Sequence, residues 1–307
     1  MPIQQDQIQA LSALEFKARQ VVEGFLAGLH KSPFHGFSVE FAEHRAYNSG
    51  ESTRHIDWKL YARTDKLFVK RYEEETNLRC ELVLDASSSM YFPEKSEVQE
   101  FSKVEFAVHA AAAFIQLLRK QRDAVGLTVF AEHVRLNERT RSNAAHLRFL
   151  MTQLEGLLAA GAPSRGQRTG LVEALHEIAQ RAHRRSLVVI LSDMLDEADR
   201  EAEVFDALQH LRFNKHDIIL FHVVDRKREL ELEIPDRPYT FVDMETGQQV
   251  KAHPAEIREG YRTAMAERWH RLKLKCGQYR IDLVEADINA GFEPILLEFL
   301  TKRAKLH

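Results

Sequence analysis

The ten residues Glu81–Met90, with the sequence ELVLDASSSM, constrain the fold more than any other stretch of the chain. They open with a short apolar run, Leu82–Leu84, which is typical of a strand buried on both faces of a parallel sheet. Ligand sites in open α/β sheets lie just beyond the carboxyl ends of such strands. Asp85, Ser87 and Ser89 place three hard oxygen donors on the turn that follows. Donors of this kind suit Mg²⁺, Mn²⁺ or Ca²⁺.

Two later stretches add oxygen donors that a doubly wound sheet would bring back to this turn. Thr169 stands directly before a predicted helix, and Asp193 follows the apolar strand Leu187–Leu191. Serines after a strand can simply cap the next helix, but five oxygen donors from three loops form a more specific pattern. The predicted metal ligands are Asp85, Ser87, Ser89, Thr169 and Asp193.

This pattern resembles the metal-ion-dependent adhesion site of von Willebrand factor A domains, D-x-S-x-S…T…D. The region upstream is similar to the signature of the bacterial DUF58 family, in which such a segment runs directly into an A-type domain. The stretches that carry this second resemblance are YNSGE from Tyr47, RHIDWK from Arg54, ART from Ala62 and YEEE from Tyr72. Many A domains have an Asp after the Thr, where this chain has Gly170. That Asp is not a direct ligand, so the predicted site is little weakened.

The resemblance implies a metal-dependent protein-interaction module that is not an enzyme. It also implies a MoxR-type AAA+ ATPase as partner, in a system that matures or remodels other proteins. Mg²⁺ takes six oxygens in near-octahedral array, so five ligands leave one position for water or for a partner's carboxylate. Two alternatives stay open: a Mg²⁺-dependent phosphohydrolase that uses Asp85 as nucleophile, and a structural scaffold with an empty site. Ser87 argues against the first, because haloacid-dehalogenase-like enzymes need a second acid at that position.

The order of predicted elements sets the fold class. Strands alternate with helices from residue 81 to residue 224, which predicts a doubly wound, mostly parallel sheet flanked by helices. A helix over residues 5–30 and a small segment with strands near 37–42 and 67–72 are expected to pack on this domain. We divide the chain into residues 1–77, the helix and DUF58-like segment, and residues 78–307, the A-like domain. The second part carries an inserted hairpin near 238–251, a helix over 254–275 and a last strand over 279–284.

The charged stretch around Trp58 has two interpretations. It is either a solvated turn with one buried tryptophan, or a contact surface that clamps the A-like domain or binds a partner. The candidate partner-binding residues are Arg54, Asp57, Trp58, Lys59 and Arg63.

Composition excludes several classes of function. The net charge of −3 gives no drive toward nucleic acid or membrane surfaces. The two cysteines, Cys80 and Cys276, form no close pair, which favours a reducing cytoplasm over a secreted disulfide scaffold. No apolar run approaches the length that a membrane span needs. The sequence also has no P-loop, no GxGxxG motif and no complete HExxH motif.

Overall fold

The computed structural model describes residues 12–31, 44–46, 61, 63, 68–70, 78–94, 101–161, 170–194, 200–244 and 247–304. The chain divides into two compact units, residues 1–25 with 78–307 and residues 26–77. The start of the first helix therefore groups with the larger unit, whereas the sequence analysis placed it with residues 1–77. Within the larger unit, Glu15 of this helix accepts a hydrogen bond from Arg119.

The described helices and strands follow the predicted alternation. The helices are α1 (Ala13–Lys31), α2 (Lys103–Lys120), α3 (Ala144–Ala160), α4 (Leu171–Arg181), α5 (Glu201–Phe213), α6 (Pro254–Gln278) and α7 (Glu293–Ala304). The strands are β1 (His44–Ala46), β2 (Phe68–Lys70), β3 (Arg79–Asp85), β4 (Ala124–Phe130), β5 (Val134–Arg141), β6 (Leu187–Ser192), β7 (Asp217–Val224), β8 (Tyr239–Val242), β9 (Gln249–Ala252) and β10 (Asp282–Asp287).

The larger unit is built on a six-stranded sheet in the order β10-β7-β6-β3-β4-β5. All neighbouring strands are parallel except β4 and β5. The central strands are rich in apolar residues and are buried almost throughout, because helices cover both faces of the sheet. The predicted α/β architecture is confirmed, and the order places β3 beside β6 at its centre.

A capping box fixes the start of α2. The Ser102 hydroxyl accepts a hydrogen bond from the backbone N–H of Glu105, and the Glu105 carboxylate accepts one from the backbone N–H of Ser102. These two bonds satisfy backbone donors that a helix otherwise leaves unpaired. Helix α2 therefore begins at Lys103, which faces the carboxyl edge of the sheet through its contact with Asp193.

The carboxyl-terminal part of the chain departs from the prediction by a few residues. Strands β8 and β9 form the predicted hairpin, but α6 continues to Gln278 and β10 begins at Asp282 rather than at 279. Arg280 takes a left-handed backbone conformation, with φ of 56°, and the N–H of Ile281 donates to the Cys276 carbonyl. This left-handed turn ends α6, and β10 therefore begins later in the chain than predicted. Within the described ranges, no helix is long and apolar enough to cross a membrane.

The smaller unit contains one antiparallel strand pair among its described residues. Strand β1 pairs with β2, with His44 opposite Lys70. Strand β2 confirms the prediction for residues 67–72. The strand predicted near residues 37–42 lies outside the described residues, and the packing of this segment on the A-like domain stays a prediction.

Candidate metal site at the carboxyl edge of the sheet

The two predicted aspartate ligands end neighbouring strands. Strands β3 and β6 run parallel, and Leu84 lies opposite Leu191 in their register. Asp85 and Asp193 therefore leave the sheet side by side at its carboxyl edge, where α/β proteins bind ligands. Their exposed fractions are 1% and 2%, so both carboxylates are buried.

The chain itself orients the Asp85 carboxylate. Its Oδ1 accepts the backbone N–H of Ser87 at 2.9 Å, and its Oδ2 accepts the hydroxyl of Ser192 at 2.6 Å. The Ser192 oxygen in turn accepts the backbone N–H of Met194 at 3.0 Å. The sequence analysis did not assign Ser192 a role in the site. Its position directly before Asp193, at the end of a buried strand, was the available signal.

The serine turn after β3 brings two hydroxyls together. The Ser87 and Ser89 oxygens lie 3.1 Å apart and are both buried. Between them, the Ser88 hydroxyl donates to the Met244 carbonyl at 2.9 Å. The loop of the β8–β9 hairpin is therefore tied directly to the turn that carries two of the predicted ligands.

The surroundings of Asp85 make its carboxyl costly to ionise. Burial and the neighbouring charge of Asp193 raise the pKa of Asp85 to about 7, although the hydrogen bonds from Ser192 and Ser87 act in the opposite direction. A buried carboxyl beside a second carboxylate prefers its neutral form unless a positive charge compensates it.

A buried lysine completes the site and was missed by the sequence analysis. Lys103 is fully buried, and its Nζ donates to Asp193 Oδ2 at 2.8 Å and to Glu229 Oε1 at 2.5 Å. Glu229 lies on a π-helical turn, Arg226–Leu230, that follows β7. The available sequence signal was a lysine at the start of the largely apolar stretch KVEFAVHAAAAF.

The structure brings together four of the five predicted ligands at this edge: Asp85, Ser87, Ser89 and Asp193. The fifth, Thr169, lies outside the described residues, as do the four candidate partner-binding residues Arg54, Asp57, Trp58 and Lys59. Arg63 is described only as an exposed helical residue. The assignment of these residues stays a prediction.

Close backbone packing explains why position 170, which follows Thr169, is a glycine. The N–H of Gly170 donates to the Ala131 carbonyl at 2.6 Å. A Cβ at this position would lie 2.3 Å from the backbone carbonyl oxygen of Glu132. The chain therefore has no room for the Asp that many A domains carry here, because the backbone approaches the β4–β5 turn too closely.

The donor set fits a hard divalent cation. In the part of the chain that the structure describes, no group of three or more His, Cys, Asp or Glu side chains is placed to hold a metal ion. A metal at the carboxyl edge would therefore rely on serine and threonine oxygens as well as the two carboxylates. Carboxylate and hydroxyl oxygens are ligands that Mg²⁺, Mn²⁺ and Ca²⁺ accept.

Comparison with known proteins places the chain in a family. The family described as "Protein of unknown function DUF58" matches residues 43–271. The chain belongs to this family. DUF58 is thus confirmed as the family that the upstream motifs resemble.

Uncharacterized proteins of Mycobacterium tuberculosis and Mycobacterium bovis are 27% identical over 229 residues, which is 74% of this chain and 67% of theirs. Among solved structures, an aerotolerance-related membrane protein from Bacteroides fragilis is similar with a TM-score of 0.40 and 15% identity, over 69% of this chain and 92% of that one. The manganese-loaded TRAP protein of Plasmodium vivax is similar with a TM-score of 0.37 and 15% identity, over 58% of this chain and 76% of that one.

Proposed function

We propose that this DUF58 protein is a metal-dependent protein-interaction module. Its metal would be Mg²⁺ or Mn²⁺, held by the five residues Asp85, Ser87, Ser89, Thr169 and Asp193. The observation that carries the proposal is the pair of buried aspartates on adjacent strands, beside two serine hydroxyls 3.1 Å apart.

The charge of the ligand set supports binding of a partner carboxylate. Asp85 and Asp193 are the two anionic members, and the hydroxyls are neutral, so the ligands at most neutralise a divalent ion. When bound, the cation would supply an electrophilic position for an incoming Asp or Glu. Burial of the site strengthens such an interaction, because charges attract more strongly where water is excluded.

The same geometry disfavours the phosphohydrolase alternative. Both oxygens of Asp85 accept hydrogen bonds from the chain, one from Ser87 and one from Ser192. The hydroxyl of Ser87 lies against that of Ser89, and the carboxylate within its reach is Asp85, which we assign to the metal. Hydrolysis needs a general acid or base within hydrogen-bond reach of the reacting group. We therefore propose that the site binds rather than catalyses.

The partner that we propose is a MoxR-type AAA+ ATPase, in a system that matures or remodels other proteins. Membership of the DUF58 family supports this choice. The ATPase would present an acidic side chain to the metal, while the candidate residues Arg54–Arg63 would provide a second contact.

Co-purification tests this proposal directly. The full chain, carrying an affinity tag, is expected to retain the ATPase in Mg²⁺ and to release it in EDTA. Asp85→Ala should abolish retention, whereas Glu267→Ala, a change at an exposed position on α6, should leave it intact. Equal retention of the ATPase in Mg²⁺ and in EDTA would contradict metal-dependent binding. It would instead favour Arg54–Arg63 as the contact surface. Mg²⁺-dependent phosphoester hydrolysis that disappears in Asp85→Asn would favour the enzyme instead.

A further inference from the structure

Lys103 occupies a position that is doubly unfavourable for a lysine. It is the first residue of α2, where the helix dipole disfavours a positive charge. Its side chain is also fully buried, which removes an ammonium group from water. A residue whose charge is unfavourable both at its helix position and in a buried environment is expected mainly at a functional site. Other groups in the structure must then offset that free-energy cost.

Two carboxylates from separate segments provide the compensation. Asp193 follows β6 and Glu229 follows β7, and both accept hydrogen bonds from Lys103 Nζ. Burial lowers the pKa of Lys103, but the charges of Asp193 and Glu229 outweigh burial and raise that pKa above its usual value. Lys103 is therefore an ammonium ion inside the protein.

Glu229 is itself fixed by the chain. Its Oε2 accepts the backbone N–H of Asp225 at 2.8 Å, and its backbone carbonyl accepts the hydroxyl of Tyr261 at 2.6 Å. One partner of Lys103 is thus fixed by hydrogen bonds within the turn after β7 and from Tyr261 of α6. On the other side, Lys103 binds Oδ2 of Asp193, which fixes the orientation of that carboxylate independently of any metal.

We propose that Lys103, supported by Glu229, is the positioning residue of the metal site. Its ion pair with Oδ2 of Asp193 holds that carboxylate in the orientation of a ligand. This inference rests on the proposed function, since it assigns Lys103 a role toward the metal that the site would bind.

The test measures Mn²⁺ binding by isothermal titration calorimetry on the full chain. The double variant Lys103→Met/Glu229→Gln removes one positive and one negative charge, so it keeps the net charge and replaces a buried ion pair by neutral groups of similar size. Such replacements commonly preserve folding. Because an outer residue that orients a ligand would be lost, Mn²⁺ should bind about 10- to 100-fold more weakly than to wild type.

The single variant Lys103→Met tests the two ion pairs of Lys103 directly. Its metal-free melting temperature should fall, because two buried carboxylates lose their cation, and it should bind Mn²⁺ more weakly than wild type, because Asp193 is no longer held in place. If this variant does not fold, the double variant carries the test alone. Equal Mn²⁺ affinity in wild type and the double variant would overturn the role of Lys103. If wild type itself bound no Mn²⁺, the proposed metal site would fall, and the role of Lys103 with it.

Discussion

A buried carboxyl in the middle of the sheet gives the most quantitative prediction. Glu81 lies on β3, opposite Gly126 of β4, and is only 6% exposed. A Cβ at Gly126 would lie 2.2 Å from a Glu81 carboxyl oxygen, so glycine leaves the space that this side chain fills. Burial raises the pKa of Glu81 from 4.5 to about 7, against a smaller opposing effect of Arg181.

The direction of the pH effect on stability depends on whether the folded or the unfolded state binds the Glu81 proton more tightly. Because the folded pKa is the higher one, the contribution of Glu81 to stability is full below about pH 4.5 and is lost as pH rises through 7. The difference between the two pKa values corresponds to about 3 kcal/mol. Glu81→Gln stays neutral at every pH, so it should be more stable than wild type by about 3 kcal/mol at pH 8 and by less than about 1 kcal/mol at pH 5.

Urea unfolding at pH 5 and pH 8, in EDTA to exclude metal, measures this difference. Glu267→Gln serves as the control, because that glutamate is exposed on α6 and should show no comparable gain. A gain for Glu81→Gln that is the same at both pH values would contradict a raised pKa for Glu81, as would the absence of a gain at pH 8.

Four further predictions concern the site, its support and the segment that precedes the sheet. Gly170→Ala should destabilise the fold by about 2 kcal/mol and weaken Mn²⁺ binding, because its Cβ meets a carbonyl of the β4–β5 turn. Gly260→Ala, with nothing within 4 Å, should instead stabilise α6 by up to about 1 kcal/mol in the same unfolding assay. Ser192→Ala should weaken Mn²⁺ binding about 10- to 100-fold in calorimetry, since it removes a hydrogen bond that orients Asp85, and unchanged affinity would contradict this. Deletion of residues 1–77 should leave an aggregation-prone fragment, because it exposes apolar surface that is expected to be covered. Size-exclusion chromatography measures this, and a soluble fragment that melts cooperatively would contradict the prediction.

The sheet and its two aspartates were predictable because their signals are local. Strands β3 and β6 each contain a short apolar run, Leu82–Leu84 and Leu187–Leu191, and each run is followed by polar residues. The start of α2 was predictable for the same reason, since Ser102 and Glu105 form a capping box within four residues. Once strands alternate with helices, the carboxyl ends of the central strands must meet at one edge.

The lysine and its partners were not predictable because their contacts depend on the folded topology. Lys103 reaches Asp193 and Glu229 only because β3, β6 and β7 are adjacent in the sheet, while the residues are far apart in sequence. The end of α6 was misplaced for a different reason. Arg280 in a left-handed conformation has no clear sequence signal, since glycine is the usual residue there.

We propose that the carboxyl edge of the sheet binds a divalent cation through Asp85. Calorimetric titration of Mn²⁺ into the full chain tests it most directly, with Asp85→Ala beside wild type and Asp206→Ala, an exposed position on α5, as the matched control. We expect one bound Mn²⁺ in wild type and in Asp206→Ala, and none in Asp85→Ala. Equal Mn²⁺ binding by wild type and Asp85→Ala, or no binding by wild type, would contradict it.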